Sequence, residues 1–232
     1  MTRSTTNIYV EYNMIIMGNT KELADLKTIS NIGNIERSSV SILCIDDQGL
    51  EYEEIIRNHG FNIRVLKDIE DIKAVTEYPV VICDIKGVGK SFGSKFEGGH
   101  IIEEIKTKYP EKVVIAYTGQ QFDATYNKFF SLADFTLSKD IDSDTWVSTL
   151  DETIRKVVSP IEQWKRMRDF LLNRDVSLKT VFQLEQQFID AVLTKNKSKF
   201  AKKSTVEGLE GDVRNVITSF VASVLFKLVF GA

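Results

Sequence analysis

Between residues 40 and 139, short apolar runs recur, and each is closed by a polar group. Val40–Ile45 leads into Asp46-Asp47, Val80–Cys83 into Asp84, Val113–Tyr117 into Thr118-Gly119, and Phe135–Leu137 into Ser138-Lys139. Brief Val- and Ile-rich runs of this kind predict strands buried on both faces. Phe61–Leu66 alternates and predicts a strand with one more exposed face. The intervening stretches have helical spacing. One runs from Leu50 through Ile55 and Ile56 to a stop at Gly60, and a short one over Ile69, Ile72 and Val75 is capped by Asp68. Others span Ile101–Tyr109 and Phe122–Leu132. The last is capped by Asp144 and carries Trp146, Leu150, Ile154 and Val157 on one stripe. Strands alternating with helices predict a parallel sheet of βαβ units, and right-handed crossovers bring every strand's carboxyl end to the same edge.

The flanks follow another pattern. Ile8–Met17 is apolar with polar interruptions and reads as a strand; Thr20–Ile29 reads as a short helix, an extra layer at the edge of the α/β part. After Pro160, which marks a break, helices are expected over Ile161–Leu172 and from Ser177 to Leu193. A flexible basic loop containing Lys195, Lys197, Lys199, Lys202 and Lys203 follows. A last helix, capped by Asp212, carries Val213, Val216, Ile217, Phe220, Val224 and Leu228. Faces this apolar need a mate, which predicts oligomerisation or docking of a protein partner.

Composition narrows the function classes. The chain has 232 residues, enough for one α/β domain and an appended part. Residues 160–232 hold 12 basic and 8 acidic side chains, a net +4, while residues 1–159 carry −7. The basic residues sit in a loop and not along a recognition helix, which argues against DNA binding. The final apolar stretch is too short and too polar on one side to span a membrane, and lying on a membrane surface is the weaker account beside core packing. Cys44 and Cys83 lie inside apolar runs and read as core residues of a reducing, cytoplasmic setting, with no zinc-type cluster. The N-terminus lacks the pattern of a secretion signal.

The candidate chemistry lies where the strands end. That edge would collect Asp46, Asp47, Asp84, Thr118 and Lys139. Three clustered carboxylates repel one another unless a cation compensates, and an oxygen-only site open to a phosphate suits Mg2+. A glycine-rich loop, residues 85–98, carries Lys86, Lys90 and Lys95 after Asp84 but lacks the spacing of a nucleotide-binding P-loop.

In these residues the chain resembles the response-regulator receiver domain of two-component signalling over roughly residues 40–159. The resemblance implies a flavodoxin-like, doubly wound sheet of five parallel strands in the order 2-1-3-4-5. It divides the chain into an extension (1–39), a receiver-like domain (40–159) and a helical output or oligomerisation region (160–232). It implies that Asp84 accepts a phosphoryl group from a histidine kinase or small phosphodonor. Asp46, Asp47, Asp84 and the backbone carbonyl of Lys86 would hold Mg2+, and Thr118 and Lys139 would contact the phosphoryl group. Such a protein is a phosphoacceptor, not an enzyme in the ordinary sense.

The sequence departs from the family pattern in three places. The helix-opening glycine is Gly98 or Gly99, which implies an insertion. Asp140 stands where a proline is usual, and Thr136, beside Phe135, stands where an aromatic is usual. The alternative is a phosphorylation-independent pseudo-receiver acting as an interaction scaffold.

Overall fold

The computed structural model describes residues 20–29, 36–119 and 124–229. The strand expected at Ile8–Met17 lies outside them, as do Phe122 and Phe230. Five strands form one sheet: β1 (Ser41–Ile45), β2 (Asn62–Leu66), β3 (Val80–Asp84), β4 (Val113–Thr118) and β5 (Phe135–Ser138). All pairings are parallel and the order is β2-β1-β3-β4-β5, the doubly wound arrangement.

The period-two geometry of a strand sorts the apolar runs onto two faces. Ile42, Cys44, Val80, Ile82, Ile115 and Tyr117 face one core. It is closed by Ile56 of α1 (Glu53–Asn58) and by Trp146, Leu150, Ile154 and Val157 of a longer helix, Ser143–Val158. Leu43, Ile45, Val81, Cys83, Val114 and Ala116 face the other. There they meet Ile101, Ile102 and Ile105 of α2 (Glu97–Lys108) and Phe129 of α3 (Asn127–Leu132). The Ser143–Val158 helix is α4.

Beyond α4 come α5 (Pro160–Asn173), α6 (Leu178–Leu193), α7 (Lys203–Val206), α8 (Gly211–Ala222) and α9 (Val224–Val229). Pro160 starts a helix and does not merely break one. Its missing N–H costs nothing at the first helical position, and Ser159, extended at φ −66° and ψ 117°, caps the helix by accepting from Glu162 N–H. Ser177 caps α6. The apolar faces mate with one another in a third core. Trp164 stacks on Phe188 at 5.3 Å, and Phe200 packs against Phe188, Phe220 and Phe226. Two neighbouring residues tie this core to the sheet: Leu225 is buried in the α4 core and Phe226 in the helical one. Gln163 Nε2 bridges them, donating to the carbonyls of Val157 (2.9 Å) and Leu225 (3.4 Å).

Several expectations are corrected. Residues Leu23–Ile29 form a 3-10 helix, but it packs on α5 and α6 through buried Leu26, not on the sheet's edge; Lys21 pairs with Asp190. Asp142, not Asp144, caps α4 by accepting from Thr145 N–H at 2.7 Å. Asp71, not Asp68, caps the short turn Ile72–Val75. The helix around Phe129 begins only at Asn127, after a 3-10 turn at Ala124–Tyr126. The basic segment is an ordered connection: Phe200 is buried, and Lys199 pairs with Asp190 at 2.8 Å. The last helix is two helices. Ser223, extended at ψ 157°, ends α8, and its hydroxyl receives Phe226 N–H at 3.1 Å; Asp212 instead pairs with Arg174.

Candidate phosphoacceptor site

Asp46 follows β1 directly and is fully buried; its Oδ1 accepts from Gln48 N–H at 2.9 Å. Asp84 is the last residue of β3, 7 % exposed, and its Oδ1 accepts from Lys86 N–H at 3.2 Å. Lys139 follows β5, where its N–H donates to the Thr118 carbonyl at 2.8 Å, so the β4–β5 pairing carries on into the site. Gly119, next to Thr118, leaves room for the Lys139 stem: a Cβ there would stand 3.2 Å from Lys139 Cδ. The stem delivers Nζ to 2.5 Å from Asp46 Oδ2 and 2.6 Å from Asp84 Oδ2.

Asp47 is half-buried, with its carboxylate against Gly87, and forms no ion pair among the described residues. Ligand oxygens of Asp46, Asp47 and Asp84 lie within 4.8 Å of one another. Three carboxylates and one ammonium leave two negative charges. The donors are all oxygen, so the cluster fits a hard divalent cation. Thr118 is half-buried at the end of β4. The Lys86 ammonium lies 5.1 Å from the centre of the Tyr126 ring.

Charge is finely divided here. Burial pushes the Asp84 carboxyl above its ordinary range, against the Lys139 hydrogen bond and the Lys86 N–H, which pull it down. For Lys139, burial pulls the ammonium down, but its hydrogen bonds to Asp46 and Asp84 outweigh that and hold it above the ordinary value. Burial raises the Cys44 and Cys83 thiols, so both are inert core residues.

Two further residues shape the site. Glu97, the first residue of α2, accepts from Gly87 N–H at 2.6 Å. Asp68 accepts from Gly89 N–H at 2.6 Å and Lys90 N–H at 3.3 Å. Together they hold the loop after Asp84 down, with Val88 buried in the sheet's core. Sequence reasoning placed Asp68 in a cap and gave Glu97 no role; the one signal was its place directly before Gly98-Gly99. Gly98 is required by proximity, since a Cβ there would stand 1.8 Å from the Asp84 carbonyl oxygen.

No protein-family model matches the chain, and no curated protein does. Solved structures do. A response-regulator receiver domain (CheY-like) from Methanospirillum hungatei JF-1 is 18 % identical, covers 51 % of this chain and 95 % of its own, and has a TM-score of 0.43. The signal receiver domain of an HD domain-containing protein from Pseudomonas fluorescens Pf-5 is also 18 % identical, with coverage of 55 % and 94 % and a TM-score of 0.43. The receiver domain of NtrX from Brucella abortus is 22 % identical, with coverage of 49 % and 97 % and a TM-score of 0.39. By its own strand order the fold is a flavodoxin-like, doubly wound sheet, an arrangement that receiver domains share with other proteins. The remaining described region is helical, and no helix among the described residues is long and apolar enough to cross a membrane.

Proposed function

We propose that the chain is a cytoplasmic, response-regulator-like signalling protein. Its receiver-type part takes a phosphoryl group on Asp84, and its C-terminal helices read the outcome. The observation that carries this reading is the position of the Lys139 ammonium, in contact with both Asp46 and Asp84 at the sheet edge, beside Asp47, which forms no ion pair among the described residues.

In this reading a carboxylate oxygen of Asp84 attacks phosphorus. The new oxygen–phosphorus bond forms as the bond from phosphorus to the donor's leaving nitrogen (a histidine kinase) or oxygen (a small phosphodonor) breaks. Lys139 leaves its shared contact to meet the incoming phosphoryl oxygens, and the Thr118 hydroxyl donates to one of them. Asp46, Asp47, Asp84 and the Lys86 carbonyl would hold Mg2+, which supplies charge neutralisation for the phosphoryl oxygens. Output passes to α5–α9 by partner docking or self-association. Since the helical faces largely cover one another, the exposed apolar surface left for a partner on α6 is Leu178 and Phe182.

The test is intact-protein mass after incubation with a small phosphodonor, with and without Mg2+, for the wild type and Asp84→Asn. A Mg2+-dependent adduct on the wild type alone is expected; an adduct persisting on Asp84→Asn refutes the assignment. A Mg2+-independent scaffold is the second reading. It is favoured by Lys139 already pairing with both buried acids, and folded wild type that takes no adduct would select it.

A further inference from the structure

The inserted loop after Asp84 is gripped at defined backbone atoms, and one grip falls on the peptide next to the proposed cation ligand. Glu97 Oε2 accepts the Gly87 N–H at 2.6 Å. That N–H belongs to the same planar unit as the carbonyl of Lys86. No peptide among the described residues is cis, so carbonyl and N–H point in opposite directions from one plane. Holding the N–H therefore fixes the direction of the carbonyl. The preceding peptide is held too, because Lys86 N–H donates to Asp84 Oδ1.

The grip is not an ordinary helix cap. Glu97 lies ten positions after Gly87 and is itself the first residue of α2. Its backbone has φ +48°, a conformation that residues with side chains rarely adopt. Gly87 has φ +84°, and a Cβ there would stand 2.8 Å from Asp47 Oδ1. The Gly87 backbone is thus sandwiched between Asp47, a candidate ligand, and Glu97, which is not one.

We infer that Glu97 is a positioning residue: by holding the Gly87 N–H it sets the Lys86 carbonyl in the orientation offered to a divalent cation at Asp46, Asp47 and Asp84. This rests on the proposed Mg2+ site. Glu97 touches neither phosphoryl group nor metal. It acts through one peptide plane, as groups that orient a metal's direct ligands do.

The experiment measures Mg2+ affinity by titration calorimetry on the full chain, together with amide hydrogen exchange at Gly87 in the metal-free protein. The proteins are the wild type, Glu97→Ala, Glu97→Asp and Glu97→Gln. Glu97→Ala is expected to weaken Mg2+ by about tenfold and to speed Gly87 exchange. Glu97→Asp, one methylene too short, should do the same and carries the test if Glu97→Ala does not fold. Glu97→Gln keeps an acceptor oxygen at the same reach and should restore most of both. Unchanged Mg2+ affinity in Glu97→Ala or Glu97→Asp, beside a wild type that binds, overturns the inference alone, even if Gly87 exchanges faster. A wild type that binds no Mg2+ overturns the proposed site and this inference together.

Discussion

Lys139 Nζ lies 2.6 Å from Asp84 Oδ2, with its stem carried past Gly119 from the end of β5, across the intervening β4. The cation that pairs with both buried acids thus arrives by strand pairing and not by a long loop. Under the proposed function, Lys139→Ala should therefore remove most phosphoryl acceptance while sparing the sheet. The expected fall in adduct formation is at least about 100-fold, the scale of losing one charge-stabilising donor. Intact-mass time courses check it, with circular dichroism to establish the fold.

Asp84→Asn should stabilise the metal-free protein at neutral pH. Burial raises the folded-state Asp84 pKa, so keeping that carboxylate ionised costs stability at pH above it. The cost fades as pH falls through the folded value and both proteins carry a neutral group. A melting temperature a few degrees above wild type at pH 7.5, converging at acid pH, is the expected result. A variant that melts below wild type at pH 7.5 contradicts it.

Lys112 offers a second pH dependence far from the site. Its buried ammonium donates to the carbonyls of Thr76 (2.8 Å) and Tyr78 (2.9 Å). Burial lowers its pKa to about 8, against the attraction of Glu111 and Glu77. The charged form costs stability below about pH 8, and that cost is relieved as pH rises toward the ordinary lysine value. Urea denaturation should show the stability of wild type over Lys112→Met growing between pH 7.5 and 9.5. The orphaned carbonyls cost the variant about 1–3 kcal/mol independent of pH, and the relief of the lysine's burial cost adds to that difference as pH rises.

Gly98→Ala should be among the costliest single-methyl changes in the chain. The added Cβ meets the Asp84 carbonyl oxygen at 1.8 Å, so either α2 or the end of β3 must move. A loss of about 3 kcal/mol or more is expected, at the upper end of overpacking. Gly93→Ala is the control: nothing lies within 4 Å, so only its positive φ is strained, at about 1 kcal/mol. Equal losses for the two would show that the close approach is not what Gly98 serves.

Leu225→Ala should loosen the α/β part although Leu225 lies near the other end of the chain. A loss of about 2–5 kcal/mol is expected for a buried leucine. Faster amide exchange in α4 would show where it falls, and a loss confined to α8 and α9 would contradict the shared core.

What the sequence made legible was whatever is encoded by short-range pattern. β1, β3 and β4 are buried on both faces, so their apolar runs stand out, and the polar residues just beyond them fall where parallel strands must deliver them. Asp46, Asp84 and Lys139 meet because of that geometry, with the last two 55 positions apart. What stayed hidden depends on contacts with no local signature. Glu97 reaches back ten positions to a backbone N–H, and Asp68 leaves a cap to grip Gly89. Leu26 finds its core among helices that begin more than a hundred residues later, and Phe200 orders a segment whose lysines read as solvent. The break at Ser223 was masked because Val224, Leu225 and Leu228 continue a helical spacing across it.

Ser159 is the whole connection between α4 and α5: one extended residue, whose side chain is spent on capping the second helix. A tether of many residues would let the two parts meet by chance, at a frequency set by its length. A single residue has no slack to give. Under the proposed function, a tilt of α4 would be handed on as an angle to α5, and the state would travel as through a crank, by direction and not by release.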